Sequence, residues 1–151
     1  MKLFLTIIPV VVVLMIFACS RRTGDDGKIS GRIDDVEQNI AQLMKSDNEQ
    51  AFLVIGTSEN DEFIQFTPYE DGVQLDFPLI TKRQEAREAQ FKQIAKELKL
   101  KVIENEGTDG SRFLDIDLNG TAAEISQTVK IFLRKLYGLN DSSIIQLDQN
   151  F

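Results

Sequence analysis

Residues 73–79 read VQLDFPL, and they decide the fold class of this chain. Apolar and polar side chains alternate along this stretch, and a period of two predicts a strand with one buried face. Two apolar runs precede it, AFLVIGT at residues 51–57 and EFIQF at residues 62–66. Only the short segments SEND and TPYEDG separate the three runs, which predicts an antiparallel meander. The core side chains expected from the alternating strand are Val73, Leu75, Phe77 and Leu79.

Three other segments show the spacing of amphipathic helices. Residues 32–45, RIDDVEQNIAQLMK, bring Ile33, Val36 and Ile40 onto one face of such a helix. Two further helices are predicted to begin at a threonine that is followed three places later by Gln or Glu, the pattern of a capping box. The earlier of these is expected to be one long helix that reaches Leu98, and the later one to end at a glycine. The residues that mark these ends are Thr81 with Gln84, Thr121 with Glu124, and Gly138.

The remaining apolar runs predict further strands. These are residues 100–105 (LKVIEN), residues 112–118 (RFLDIDL) and a last short strand within residues 142–147 (SSIIQL). The predicted order is therefore α-β-β-β-α-β-β-α(-β). A meander with helices inserted between its strands makes an α+β domain, and we expect an antiparallel sheet with the helices packed on one face.

Two stretches of the chain resemble the type III secretion chaperone-like domains, the TY-Chap family. Residues 52–78 read FLVIGTSENDEFIQFTPYEDGVQLDFP, a strand pair followed by an alternating strand that ends in proline. Residues 125–140 read ISQTVKIFLRKLYGLN, which is similar to the C-terminal helix of that family. The resemblance spans residues 51–140. It implies a sheet that binds other polypeptides, often as a dimer, without catalysis.

The first residues of the chain have the layout of a secretory signal. Lys2 is the only charged residue before a run that is apolar except at Thr6 and Pro9. The run from Leu3 to Cys19 would form a helix of about 25 Å at about 1.5 Å per residue. A bilayer core is about 30 Å thick and usually needs about 20 residues. The length therefore favours a cleaved signal over the alternative, an uncleaved transmembrane anchor.

Cys19 is the only cysteine in the chain. Residues 16–19, IFAC, resemble the bacterial lipobox, in which an aliphatic residue and two mostly small residues precede a lipid-modified cysteine. The resemblance implies cleavage before Cys19 and attachment of acyl chains such as palmitate, and it implies that the protein stays in the cell envelope. Because Ser20 follows rather than Asp, the resemblance favours the outer membrane if the cell is Gram-negative.

These patterns divide the chain into three parts. Residues 1–18 are predicted to be a signal peptide. Residues 19–31, rich in glycine and charge, are predicted to be a lipid-anchored flexible tether. Residues 32–151 are predicted to form the single α+β chaperone-like domain.

Composition narrows the classes of function. The chain has 24 Asp and Glu against 17 Lys and Arg, a net charge of −7. An acidic chain is a poor ligand for nucleic acid, since phosphate contacts need Lys and Arg. There is no histidine, which removes the most common general base and the most common metal ligand. We therefore expect no enzymatic activity, no cofactor and no nucleic-acid partner.

Residues 115–120, DIDLNG, are the sharpest local motif. Asp115, Asp117 and Asn119 match the start of a calcium loop, but the twelfth position is Ser126 rather than the required Glu. The alternative, which the alternation favours, is that both aspartates lie on the solvated face of a strand. The same two carboxylates are also the candidates for acid–base chemistry in a small hydrolase.

Charge is distributed unevenly along the chain. Residues 31–80 hold 2 basic and 11 acidic residues, whereas residues 82–101 hold 7 basic and 3 acidic residues. Lys92 and Lys96 are therefore candidates for a surface that meets anionic lipid headgroups or an acidic partner. The alternative is a solvated helix face balanced by the acidic half. Phe63 is a candidate for a partner or dimer surface on the open side of the sheet, unless the first helix covers it.

Together these observations predict a lipid-anchored envelope protein whose chaperone-like domain binds another protein. The partners expected are a membrane, through lipid on Cys19, an unidentified protein, and a second copy of the chain. One alternative is an immunity-type lipoprotein that neutralises a toxin, since an acidic protein suits a basic target. The other alternative, from a different class, is the small hydrolase using Asp115 or Asp117.

Overall fold

The computed structural model describes residues 29–57 and 62–151. These residues form a seven-stranded antiparallel sheet and four α-helices, the predicted α+β class. The strands are β1 (Ile29–Arg32), β2 (Phe52–Gly56), β3 (Phe63–Tyr69), β4 (Gly72–Leu79), β5 (Ile103–Glu106), β6 (Arg112–Asn119) and β7 (Ile144–Asn150). The helices are α1 (Val36–Met44), which a 3₁₀ turn (Ile33–Asp35) precedes, α2 (Lys82–Ala86), α3 (Glu88–Glu97) and α4 (Ala122–Tyr137).

The strand order in the sheet is β1-β7-β2-β3-β4-β6-β5. The neighbours β2, β3 and β4 are the predicted meander, and β6 continues it on the far side of β4. The last strand, predicted only as a short addition, is longer than expected and lies between β1 and β2. The strand β7 is therefore an interior strand, hydrogen-bonded to β1 on one side and to β2 on the other.

One hydrophobic core lies between the sheet and the helices. Alternate residues of β4 are buried in it, as predicted, and the corresponding residues of β2, β3, β6 and β7 join the same cluster. Phe91 of α3 is fully buried and stacks on Phe77 with ring centroids 4.7 Å apart. The ring centroid of Phe132 of α4 lies 4.9 Å from that of Phe91. Because these buried helix residues share one cluster with a single set of alternating strand residues, the helices pack on one face of the sheet, as predicted.

The ends of α4 follow the sequence signals. The Thr121 side chain accepts a hydrogen bond from the backbone N–H of Glu124, and the Glu124 side chain accepts one from the backbone N–H of Thr121. These two bonds make the capping box that the sequence predicts. Gly138 ends the helix in the left-handed conformation at φ 67°.

Two predictions differ from the structure. The predicted tether included Ile29–Gly31, but these residues belong to β1, because β7 presents a free edge with which they pair. The predicted long helix is divided at Arg87 into α2 and α3. The Arg87 side chain donates to the Glu62 carboxylate over 2.7 Å and to the carbonyl oxygen of Leu136. These tertiary bonds coincide with the break, and nothing in the local sequence signals them.

Candidate functional site on the open sheet face

The face of the sheet opposite the helices is called the open face here. Its side chains alternate with the core residues along each strand, and most of them are half-buried rather than fully exposed. They include Val54, Phe63, Gln65, Gln74, Asp76, Phe113, Asp115, Asp117 and Asp148.

A row of four side chains crosses the middle of the open face. Val54 on β2 lies opposite Gln65 on β3. Gln65 in turn lies opposite Asp76 on β4, which lies opposite Asp115 on β6. Directly opposed residues of antiparallel strands have Cβ atoms about 4.5–5.5 Å apart. Asp76 and Asp115 therefore face each other across two neighbouring strands, and we call them the carboxyl pair.

Each member of the carboxyl pair accepts a hydrogen bond from an amide side chain. Gln65 Nε2 donates to Asp76 Oδ2 over 2.9 Å, and Asn105 Nδ2 donates to Asp115 Oδ2. Asp115 is only 4% exposed. Its other oxygen, Oδ1, has no hydrogen-bond donor among the described residues. Asp76 is half-buried, so the pair is accessible from solvent on the Asp76 side.

The electrostatics of the pair favour one bound proton at neutral pH. Burial, a hydrogen bond with Asp115 and the charge of Asp115, in that order of size, together raise the pKa of Asp76 from its ordinary 3.8 to about 8. The hydrogen bond from Gln65 opposes this shift. Two carboxylates in such proximity repel when both are ionised. A proton on Asp76 lowers that repulsion and is also the donor that Asp115 Oδ1 otherwise lacks.

The structure does not bring the calcium-loop candidates together. Asp115, Asp117 and Asn119 are alternate residues of β6, and an extended strand separates such residues by about 6.6 Å. Asp117 Oδ1 accepts a hydrogen bond from Gln74 Nε2 over 3.0 Å instead. The three side chains therefore do not converge on one ion. Within residues 29–57 and 62–151, no group of three or more Asp, Glu, His or Cys residues could hold a metal ion.

The prediction of a solvated strand face is wrong for Asp115 and holds in part for Asp117. Alternation does place both opposite the buried Leu114, Ile116 and Leu118. Asp115 is nevertheless buried, because β4 flanks it on one side and Ile103 of β5 lies opposite it on the other. Its burial is a property of strand neighbours that are distant in sequence.

Phe63 lies on the open face, as one of the two predictions for it required. It alternates with Ile64 and Phe66, which are fully buried against the helices. Its own side chain is half-buried, so the open face has an aromatic component beside the carboxyl pair. Phe113 on β6 is half-buried on the same face.

The two candidate lysines, Lys92 and Lys96, lie in α3 and not on the open face of the sheet. Lys92 Nζ lies 2.7 Å from Glu88 Oε1 and 2.6 Å from Glu104 Oε1. The hydrogen bonds to Glu104 and then to Glu88 raise the pKa of Lys92. Lys92 is therefore paired within its own domain, which favours the interpretation of a balanced surface. Lys96 is exposed, and both lysines line a shallow groove with Lys99, Leu100, Lys101 and Val102.

Cys19 and residues 1–18 lie outside the described residues, and so does the predicted tether up to residue 28. The described part of the chain has no helix that is both long enough and apolar enough to cross a membrane. The signal peptide and lipid anchor therefore stay predictions.

Asp76 is the residue of this site that sequence reasoning missed. It stands at a polar position of an alternating strand, as do many solvated aspartates. What distinguishes it is the register of β4 against β6, which places it opposite Asp115. The only sequence signal for the carboxyl pair is an aspartate at an outward position of each of two predicted strands. That signal becomes useful only once the register between the two strands is known.

Comparisons of this chain with family models, with curated protein sequences and with solved structures found no match.

Proposed function

We propose that this chain is a lipid-anchored envelope protein whose α+β domain binds another protein through the open face of its sheet, without catalysis. The observation that supports this proposal is the character of that face. Its side chains are half-buried aromatic, aliphatic and carboxyl groups, and the helices of the described residues pack on the opposite face.

The open face is comparable in size to a protein interface. Seven strands spaced about 4.8 Å apart give a width of about 29 Å, and strands of four to eight residues are about 13–26 Å long. The resulting area is about 380–750 Å², against about 800 Å² that a typical interface buries on each partner. The half-buried aromatic side chains of this face, Phe63 and Phe113, belong to a residue class that is enriched at protein interfaces.

The proposal includes a lipid anchor on Cys19 that holds the domain at a membrane. Ile29, the first residue of β1, comes ten positions after Cys19. A fully extended chain of that length would span about 33 Å, enough to hold the sheet clear of a membrane surface. Two or more acyl chains on Cys19 would make the attachment stable.

The resemblance to chaperone-like domains is consistent with this proposal, because that family binds polypeptides on a sheet. A second candidate, an immunity-type lipoprotein, is favoured by one observation: the charged side chains that β4, β6 and β7 place on the open face are aspartates, which suit a basic target. A hydrolase is not favoured, since Asp115 is buried and hydrogen-bonded on a sheet face rather than placed in a cleft.

The test is crosslinking in intact cells, followed by affinity capture and mass spectrometry. We expect one partner at near-equal amounts with the anchored chain. The matched variant is Phe63→Ser, which removes an aromatic group from the open face, and the control is Lys96→Gln, away from that face. Capture of nothing, or equal capture by all three proteins, would contradict a binding function of the open face.

A further inference from the structure

A shallow groove lies where α3 ends and the chain runs into β5, at one edge of the sheet. Its volume is about 520 Å³, within the range of about 300–1,000 Å³ that small-ligand sites have. Leu100 and Val102 are half-buried and pack against the core, so the groove has an apolar floor. The charged residues that line the groove around this floor are Lys92, Lys96, Lys99, Lys101 and Glu104. We call these seven residues the lysine groove.

Most of the positive charge of the lysine groove is not neutralised by the described residues. Lys92 is paired with two glutamates, and the nearby Glu97 is paired with Lys135 over 2.6 Å. The exposed lysines of the groove that take part in no ion pair within residues 29–57 and 62–151 are Lys96, Lys99 and Lys101. The carbonyl end of a helix such as α3 offsets about half of one charge, so about two and a half positive charges remain. They are concentrated at one place in a chain whose net charge is −7.

Lys99 occupies a backbone position that glycine usually takes. It follows α3 in the left-handed region, at φ 57°. The N–H of Leu100 donates to the carbonyl oxygen of Ala95 over 2.8 Å, as in a Schellman cap. A residue with a Cβ is strained in this conformation, whereas glycine is not. The lysine is therefore present at a cost to stability, and such local strain is concentrated where residues have functions. This observation is independent of the charge count.

We propose that the lysine groove is a membrane-contact site that binds the anionic headgroups of phospholipids. Clusters of four or more basic residues beside a membrane attachment are typical of such sites, and each lysine near an anionic surface strengthens attachment about fivefold. An ammonium is a compact charge on a flexible stem, which suits mobile headgroups. The fixed carboxylates of a protein partner are better met by the planar fork of arginine, and no arginine is among the described residues that line the groove.

The proposal rests on the lipid anchor of the proposed function, because the anchor brings the domain to the membrane. The tether joins the domain at β1, and β5 is at the opposite edge of the sheet. Six strand spacings separate these edges, about 29 Å, which is less than the reach of about 33 Å of the extended tether. The groove can therefore contact the membrane that holds the anchor. A short flexible tether also gives a millimolar effective concentration, so a weak contact is sufficient.

The contact leaves the open face free for a protein partner. Lys92 and Lys96 belong to α3, and the helices pack on the face of the sheet opposite the open face. Glu104 lies opposite the buried Leu114, so its side chain is also on the helix side. Membrane contact and protein binding would thus use different surfaces of the domain.

The test is lysine acetylation of the full chain, reconstituted into vesicles of phosphatidylcholine alone or of equimolar phosphatidylcholine and phosphatidylglycerol. Mass spectrometry measures the rate of modification at each lysine. We expect Lys96, Lys99 and Lys101 to react about tenfold or more slowly in the anionic vesicles. Lys45 and Lys82 are exposed outside the groove and should react at nearly equal rates in both. About 1 M salt should remove the protection, because the screening length falls to about 3 Å.

Two substitutions at Lys99 separate its charge from its effect on folding. Lys99→Gln should lower the protection of Lys96 and Lys101 about fivefold, whereas the matched control Lys45→Gln should leave it unchanged. Lys99→Gly removes the same charge and also relieves the left-handed strain. It should therefore unfold at a higher urea concentration than the wild type, yet lose as much protection as Lys99→Gln. Full protection in Lys99→Gly would overturn the proposal.

Three other results would also overturn it. One is equal acetylation of the groove lysines in neutral and anionic vesicles. Another is protection that persists in about 1 M salt, since headgroup attraction is screened there. The third is protection by added hexaglutamate in neutral vesicles without protection by phosphatidylglycerol, which would assign the groove to an acidic polypeptide.

The groove and the anchor fail in distinguishable ways. Anchoring is measured separately, as the fraction of the chain that floats with neutral vesicles. A chain that floats with both kinds of vesicle but shows no lysine protection retains the anchor and loses the groove contact. A chain that floats only with anionic vesicles, with its groove lysines protected, retains the groove contact and loses the anchor.

Discussion

Replacing Asp76 with Asn tests the carboxyl pair through the pH dependence of stability. In the wild type the folded chain keeps a proton on Asp76 up to about pH 8, whereas the unfolded chain releases it near pH 3.8. Between these two values the folded state binds more protons than the unfolded state, so the free energy of unfolding falls as the pH rises. The stabilising contribution is fully present below pH 3.8 and is lost as the pH passes through about 8.

The magnitude follows from the size of the shift. A free-energy change of about 1.4 kcal/mol accompanies each pH unit over which the extra proton is held. From pH 4 to pH 7 the full effect is about 4 kcal/mol, and partial exposure of Asp76 reduces it to about 2–3 kcal/mol. Asparagine does not titrate, yet its amide can donate to Asp115 Oδ1 and accept from Gln65 Nε2. We therefore expect Asp76→Asn to equal the wild type near pH 4 and to exceed it by about 2–3 kcal/mol at pH 7.

The assay is urea unfolding of the full chain in neutral detergent, followed by circular dichroism at half-unit steps from pH 4 to pH 8.5. Other titrating groups cancel in the difference between wild type and variant. Asp71→Asn, an exposed substitution in the turn before β4, is the control and should leave that difference flat. If the difference in unfolding free energy between the wild type and Asp76→Asn were also independent of pH, the conclusion that the carboxyl pair holds a proton at neutral pH would be refuted.

Three further perturbations follow from the structure and the sequence. Phe91→Ala opens the centre of the core, where the ring is fully buried and stacked, and should lower the free energy of unfolding by about 3–5 kcal/mol in urea titration; a loss under 1 kcal/mol would contradict that packing. Gly72→Ala should lower the free energy of unfolding more than Gly138→Ala in the same titration, because a Cβ at residue 72 would lie 1.9 Å from the carbonyl oxygen of Leu118. A Cβ at residue 138 would have no atom within 4 Å, so that substitution costs only the strain of a φ of 67°, about 1 kcal/mol. The opposite ranking would count against the register of β4 with β6. Cys19→Ala should move the chain out of the lipid-modified membrane fraction, measured by fractionation and intact mass, and a variant that stays membrane-bound at unchanged mobility would rule out the lipid anchor.

The sequence predicts most of the local structure because local structure depends on near neighbours. Alternation in residues 73–79 predicts β4 and its buried face, since side chains of a strand point to opposite faces in turn. The capping box at Thr121 and the glycine at position 138 predict both ends of α4, since helix ends need partners for their unpaired backbone groups. These signals, taken in order, determine an α+β domain with one buried sheet face.

What only the tertiary structure decides is which distant residues become neighbours. The break at Arg87 arises beside bonds to Glu62 and Leu136, which no helical periodicity encodes. The insertion of β7 between β1 and β2 depends on pairing between opposite ends of the chain. The carboxyl pair depends on register, because a shift of one residue between β4 and β6 would move Asp115 away from Asp76. Sequence alone thus determines the elements and their buried faces, while the candidate site exists only because long-range strand pairing brings together two carboxylates that local interactions leave unrelated.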